Sequence, residues 1–243
     1  MKIERLVHRR VGAALRRHRM IEEGDRILMA FSGGVDSFVL ARILAEKRSA
    51  IPVKFELMGC HVATDIVDMK EGGWELSQKF FDDLEIPLNR MDVEVTGRSD
   101  QGRSMNCFFC AMQRRKALIS QALKNGCTKI AYGHHLDDVI ETLLINMFYN
   151  AEISTMPARL ELDNYDLVIV RPLRLVKESE VKRYAARMGL EAVVEPCPHG
   201  DNGKRARVKQ MIHEMAREDG RVRDNLAASL GRIKSGYLLE KLR

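Results

Sequence analysis

No apolar run in these 243 residues approaches the roughly 20 that a membrane-crossing helix needs. The amino-terminal stretch MKIERLVHRRVGAALRRHRMIEEGD is charged throughout and lacks the apolar core of a signal peptide, so a cytosolic protein is expected. There is no internal repeat and no low-complexity linker, which excludes solenoid and tethered-module architectures. Cysteine is scarce. The five present are Cys60, Cys107, Cys110, Cys127 and Cys197. An odd count in a reducing compartment argues against a disulfide framework, so the paired cysteines point to metal binding or sulfur chemistry.

Hydrophobic residues make up 45% of the chain, enough for a real core. Lys and Arg number 40 against 34 Asp and Glu, giving a net charge of +6 and a sequence pI near 9.1. This surplus fits a polyanionic partner but does not specify one.

Apolar periodicity predicts a helix over 3–21, then a strand over Arg26–Phe31 and a helix beginning after Ser37. Strand and helix then alternate: strand Val53–Val62, helix Asp68–Leu84, strand Leu88–Val95, a loop over 96–106, helix Cys110–Lys124, strand Lys129–Gly133 and a helix to Phe148. An irregular stretch over 150–166 follows, then strand Leu167–Val170, helix Lys177–Met188, a short strand Glu191–Val194 and a helical region over 204–240. The alternation predicts an α/β fold, a doubly wound parallel sheet covered on both faces. The simplest division is an N-terminal helical arm (1–24), a catalytic domain (25–200) and a basic C-terminal helical tail (201–243).

The string Ser32-Gly33-Gly34-Val35-Asp36-Ser37 follows the first strand. In a parallel sheet, ligands bind beyond the carboxyl ends of the strands. Two glycines permit close backbone approach, and the following helix offers unpaired N–H groups to an anion. Ser32 and Ser37 add hydroxyl donors. Asp36 repels phosphate unless a cation such as Mg²⁺ intervenes, or else it shapes the loop. The plain alternative is an ordinary strand–turn–helix junction. The loop lacks the G-K-[ST] ending of a Walker motif and the G-x-G-x-x-G of a dinucleotide fingerprint. The full string resembles the pyrophosphate loop of N-type ATP pyrophosphatases, which cleave ATP between the α and β phosphates.

Cys107 and Cys110 form a C-x-x-C at a loop-to-helix junction, a spacing suited to one metal or one cluster edge. Cys197 stands between Pro196 and Pro198, which fix its backbone. Three thiolates are one short of a closed site, and His199 is a candidate fourth ligand. A redox pair or half a zinc site is the alternative for C-x-x-C. Cys60 and Cys127 read as buried small hydrophobes. A second turn, Gly133-His134-His135-Leu136-Asp137-Asp138, also follows a strand. Its two acids suit Mg²⁺ on a pyrophosphate leaving group, or simple helix capping.

These strings, in this order, are similar to one family, the tRNA 2-thiocytidine synthetases. The resemblance runs from about residue 5 to 215 and rests on VGAALRRHRMIEEGDRILMAFSGGVDS, CFFCAMQRRKAL, KIAYGHHLDDVIETLLINMFY, MPARL, VIVRPL and the late Pro196-Cys197. Val35 stands where the family commonly has Lys, and Gly200 where a second C-x-x-C often ends. The resemblance implies an adenine nucleotide alpha-hydrolase-like fold and ATP-dependent thiolation of a cytidine in the tRNA anticodon loop. It also implies a [4Fe–4S] cluster on Cys107, Cys110 and Cys197, with the fourth iron open to sulfide.

The nucleotide is then expected on Ala30, Ser32, Gly33, Gly34, Asp36, Ser37, His61 and Gly133, with the adenine near Cys60–Val62. Asp36, Asp137, Asp138, Cys107 and Cys197 are the candidate catalytic residues. ATP, Mg²⁺ and the cluster are the expected cofactors. tRNA and a sulfur donor (a cysteine desulfurase or free sulfide) are the expected partners, homodimerisation is left open, and no membrane is involved. The arginines at 9, 10, 16, 17 and 19 and the run Lys204–Arg207 are candidates for tRNA phosphates, with solvated helix faces as the alternative. Two other chemistries share these residues: a cluster-dependent desulfidase of thiolated bases, and a cluster-free persulfide relay among the same cysteines.

Overall fold

The computed structural model describes residues 2–96, 107–198 and 203–237. The chain divides into two compact units, Met1–His135 with Pro157–Asp201, and Leu136–Met156 with Asn202–Arg243.

The first unit carries a six-stranded sheet in the order β3-β2-β1-β4-β6-β5. Its strands are β1 (Asp25–Phe31), β2 (Phe55–Thr64), β3 (Leu88–Val93), β4 (Lys129–Ala131), β5 (Arg159–Glu161) and β6 (Val168–Val170). All neighbours are parallel except β5, which pairs antiparallel with β6. The sheet is therefore mixed but parallel-dominated, as a doubly wound fold requires. β5 falls in the stretch expected to be irregular, because a three-residue edge strand leaves too short a pattern to read. The expected strand over Glu191–Val194 is instead one bridge, Met69 to Val194.

Among the described residues, five helices belong to this unit: α1 (Ile3–Arg17), α2 (Val35–Ala50), α3 (Gly73–Asp83), α4 (Cys107–Lys124) and, after β6, a helix over Glu178–Met188. Strand residues alternate between two faces. Ile27, Met29 and Phe31 of β1 join Phe55 and Leu57 in a core with α1, α2 and the Glu178–Met188 helix. Leu28, Met58, Cys60, Val62 and Ile130 point the other way, onto Ala117, Leu118 and Ala122 of α4. This two-sided burial explains why β1 and β2 read as nearly continuous apolar runs. In β2, Gly59 is obligatory: a Cβ there would lie 2.5 Å from a ring carbon of Phe81 and 2.8 Å from Leu88 Cδ1. Overpacking of this kind costs about 1–3 kcal/mol.

α3 begins five residues later than the expected helix over Asp68–Leu84. Asp68 accepts from the Met69 N–H at 2.7 Å, and Lys70 N–H donates to Val193 O at 2.8 Å. Residues 68–72 are thus held in a loop, which Gly72 ends with φ of +71°.

The second unit is helical: α5 (Leu136–Tyr149), α7 (Lys204–Glu218) and α8 (Val222–Ser229), with the Glu178–Met188 helix of the first unit numbered α6. Ile140 and Leu144 of α5 bury against Val208 and Ile212 of α7. The helical region expected over 204–240 is broken at Asp219-Gly220. Of the loop expected over 96–106, all but Thr96 lies outside the described residues, as does His199. No described helix is long and apolar enough to cross a membrane.

Candidate functional site

The chain moves from β1 through β2 to β3 in one direction, and β4 then returns to the other side of β1. The reversal lies between β1 and β4, and ligands of open α/β sheets bind at such a switch point beyond the carboxyl ends of the strands. Ser32–Ser37 leaves the end of β1 there, and Tyr132-Gly133 leaves the end of β4.

In the first turn, Gly33 has φ of +77°, which no β-carbon-bearing residue adopts without strain. Gly34 is extended, so its value lies in close approach: a Cβ would meet Ser32 Oγ at 3.3 Å. Gly34 N–H donates to Ser32 Oγ at 3.2 Å, and Ser37 Oγ donates to Gly34 O at 2.7 Å. These bonds fold the loop onto the first turn of α2, where backbone N–H groups and the helix dipole favour an anion. Asp36 lies in that turn with 44% of its side chain exposed, and its carboxylate is 3.9 Å from Nε2 of buried His135. Gly133 packs on the same turn, since a Cβ there would lie 3.2 Å from Asp36 O.

His61 and Ala30 sit beneath the loop. His61 is almost fully buried, and its Nδ1 lies 3.0 Å from Phe31 O. Its Nε2 is 3.6 Å from Asp68, which accepts from Arg90 at 2.7 Å. Burial holds the imidazole below its ordinary pKa, against the raising effect of the Phe31 carbonyl, so the ring is neutral near pH 7. Its described contacts anchor the last residue of β1. Ala30 is half-buried and faces the α4 side of the sheet.

The cysteines separate by environment. Cys60 and Cys127 are buried, as their apolar settings predict. Burial, with a further push from Cys127, drives the Cys60 thiol up to about 12; burial also raises Cys127. Neither is suited to a thiolate ligand. Cys110, in the first turn of α4, is partly exposed, and Cys197 is exposed. Cys107 begins α4, but its side chain lies outside the described residues. Among the described residues, no group of three His, Cys, Asp or Glu side chains is placed to hold a metal ion. Of the three cysteines expected to hold a cluster, Cys110 and Cys197 are reachable thiols, which suits that chemistry, whereas Cys60 and Cys127 are closed off. The backbone leading to Cys197 is tied to the loop, because Val193 N–H donates to Gly33 O at 2.9 Å and Glu195 N–H to Asp68 O at 3.0 Å.

Asp137 and Asp138 belong to the second unit, in the first turn of α5. Arg223 Nε donates to Asp137 at 2.9 Å, and Arg205 Nη1 donates to Asp138 at 3.1 Å. Both acids are thus held by arginines of α8 and α7. Arg205 is in turn committed to that pair, and Lys204 lies over the Tyr149 ring at 4.5 Å. Of the amino-terminal arginines, Arg10 is engaged by Glu180 at 3.0 Å and Leu175 O at 2.9 Å, while Arg9, Arg16, Arg17 and Arg19 are exposed.

Sequence reasoning passed over two residues at the same sheet edge, Tyr132 and Arg171. Tyr132 stacks on His134 at 5.4 Å between ring centroids, and Arg171 is buried at the end of β6. Each stands directly after a strand and within a string that carries the resemblance, KIAYGHH for Tyr132 and VIVRPL for Arg171.

A parallel sheet with a glycine-serine loop at its switch point defines an adenine nucleotide alpha-hydrolase-like protein. A model of the PP-loop domain matches residues 4–216. The tRNA-cytidine(32) 2-sulfurtransferase of Syntrophotalea carbinolica is 34% identical, covering 98% of this chain and 93% of that protein. The tRNA-cytidine(32) 2-sulfurtransferase of Coxiella burnetii is 33% identical, covering 98% and 94%. Among solved structures, the U34-tRNA thiolase NcsA from Methanococcus maripaludis with its [4Fe-4S] cluster matches with a TM-score of 0.80 at 22% identity, covering 99% of this chain and 82% of that one. NMN synthetase from Francisella tularensis matches with a TM-score of 0.54 at 12% identity, covering 100% and 99%. The chain belongs to the PP-loop domain family and, within it, to the tRNA-cytidine(32) 2-sulfurtransferases.

Proposed function

We propose that this tRNA-thiolating enzyme uses ATP to activate the carbonyl of a cytidine in the tRNA anticodon loop, and then exchanges that oxygen for sulfur. The carbonyl oxygen attacks the α-phosphorus of ATP. The bond to the β-phosphate breaks, pyrophosphate leaves, and the base carries AMP on its oxygen. Sulfide from a donor then adds to the base carbon, and AMP departs with the original oxygen.

The observation that carries this reading is the Ser32–Ser37 loop at the β1/β4 switch point, tied by Gly33 O to the segment that leads into Cys197. The loop and the first turn of α2 bind the phosphates, with the Ser32 and Ser37 hydroxyls as donors. Most of the first step is positioning and charge neutralisation. Asp36 is the carboxylate of the described loop suited to Mg²⁺, because it is half-exposed beside the phosphates. Asp137 and Asp138 are held by Arg223 and Arg205, so we assign them to ordering α5 and the helices that contact it. Cys107, Cys110 and Cys197 would hold a [4Fe–4S] cluster, which when bound supplies sulfide in reactive form.

The test is an anaerobic reaction of purified protein with an unmodified tRNA transcript, ATP and sulfide. Expected are AMP, pyrophosphate and a thiolated cytidine detected by nucleoside mass spectrometry. Iron and labile sulfide are expected in the protein, and both are lost in Cys110→Ala and Cys197→Ala but retained in Cys60→Ala. About one zinc per chain without labile sulfide, or full activity in Cys197→Ala, overturns the cluster assignment. Thiolation without AMP formation overturns the adenylation step.

A further inference from the structure

Beside the glycine-serine loop, the carboxyl edge of the sheet carries a group of side chains that the proposed reaction does not use. The parallel ladder between β4 and β6 ends at Ala131 opposite Val170. One more bond continues it, from Tyr132 N–H to Val170 O at 3.0 Å. Tyr132 and Arg171 therefore leave adjacent strands side by side. β4 also neighbours β1 in the first unit, with Met29 opposite Ala131. Two strand spacings, about 10 Å, thus separate the exit of β6 from the exit of β1 and its loop.

Arg171 is 5% exposed. Its Nη1 donates to Pro157 O at 2.7 Å, while its Nε is buried with no partner. The groups that act on it most strongly are Arg115, Tyr132 and Arg174, none of them a carboxylate. Arg114 and Arg115 of α4 also act on Tyr132, whose buried hydroxyl faces the Arg115 guanidinium. Arg174 follows Arg171 in a turn, with a buried Nε that is likewise unpartnered. Burial, and next the charge of Arg115, bring the Arg171 guanidinium down to about 10. A buried cation among other cations is unfavourable by itself, since buried charge is tolerated when it is paired. One backbone carbonyl does not supply a countercharge. Several converging guanidinium groups are the side chains best matched to phosphate oxygens.

We infer that Arg171, with Arg115 and Arg114 reaching in from α4, forms a second phosphate-oxygen site at the β4/β6 end, distinct from the Ser32–Ser37 loop. The phosphate comes either from the nucleotide or from the backbone of the bound tRNA. The nucleotide alternative rests on the phosphate reading of the loop; the tRNA alternative stands without it.

The experiment measures binding of ATP and of an unmodified tRNA transcript separately, to wild type, Arg115→Gln and Arg171→Lys, across a salt series. Arg115 is exposed, so Arg115→Gln retains the fold even if changes at Arg171 do not. A site for nucleotide phosphate weakens ATP about tenfold or more in Arg115→Gln and leaves tRNA unchanged. A site for tRNA phosphate weakens tRNA instead and lowers the salt slope by about 1. Unchanged affinity for both probes in Arg115→Gln, with Arg171→Lys altering only thermal stability, overturns the inference and leaves Arg171 as a clamp on Pro157. A wild type that binds tRNA but no ATP removes the loop reading alone, and the tRNA measurements still decide the arginine site.

Discussion

Two strand-to-helix turns in this protein begin alike and end with different partners. β1 runs through Ser32–Gly34 into α2, and β4 runs through Gly133–His135 into α5. Each helix starts with backbone N–H groups that its own hydrogen bonds do not satisfy, and each carries acid in its first turn. At α5 the acids are Asp137 and Asp138, which arginines from α8 and α7 hold at 2.9 and 3.1 Å. That helix start is complemented from within its own unit. At α2 the loop offers hydroxyls and a left-handed glycine, and its acid, Asp36, is half-exposed. The same local geometry thus meets arginines in one place and, on the proposed reading, is left to an external anion in the other. The side chains brought to it make the difference.

The largest effect is expected at the left-handed glycine. Gly33→Ala forces a β-carbon residue into φ of +77° and against Val194 Cβ at 3.2 Å. Strain of about 1–2 kcal/mol and a displaced loop should lower ATP-dependent pyrophosphate release about 100-fold, measured alongside a thermal melt. Undiminished release would remove the distinction between the two turns.

Next is Arg223→Ala. It should cost about 1.5–3 kcal/mol of stability by chemical denaturation, since Asp137 is mostly buried, while ATP affinity stays at the wild-type value. Full stability with lost pyrophosphate release would transfer Asp137 from packing to chemistry.

A smaller effect concerns His61. Its folded-state pKa lies below the ordinary value, so the unfolded chain binds the proton more readily. The stability this group contributes is complete above about pH 6.5 and falls as the pH drops below it. His8 and His18 are shifted in the same direction, in each case chiefly by burial, and add to the acid sensitivity. His61→Gln should therefore flatten the acid side of a stability–pH profile without abolishing its slope. An identical profile in the variant would mean that His61 titrates alike in both states.

The smallest effect is Arg205→Ala. Its side chain is half-exposed, and such pairs contribute about 0–1 kcal/mol. A melt should barely move, and a large loss would mean that Arg205, rather than Arg223, organises the start of α5.

Much of this could be read along the chain, because it is encoded in neighbouring residues. The apolar runs of β1 and β2, the glycine-serine string and the C-x-x-C are each contiguous, and so is the proline-flanked Cys197. Cys60 and Cys127 could be set aside as core residues because they lie within or against apolar strands. β5 and the late start of α3 escaped because their cause is remote: a partner strand for the first, and the backbone of Val193 and Val194 for the second.

The sequence by itself determined the strand–loop–helix at Ser32–Ser37, the alternation that makes a parallel sheet, and which two cysteines are core residues. Local pattern suffices for these, since periodicity, glycine torsions and short spacings act over a few residues. Only the tertiary structure decided which of the two glycines carries the positive φ, and that Asp137 and Asp138 meet arginines 86 and 67 residues away. It alone tied the approach to Cys197 to Gly33, and set Arg171 beside Tyr132. Those facts depend on strand order and helix packing, which join residues distant in the chain and leave no trace in the composition of either neighbourhood.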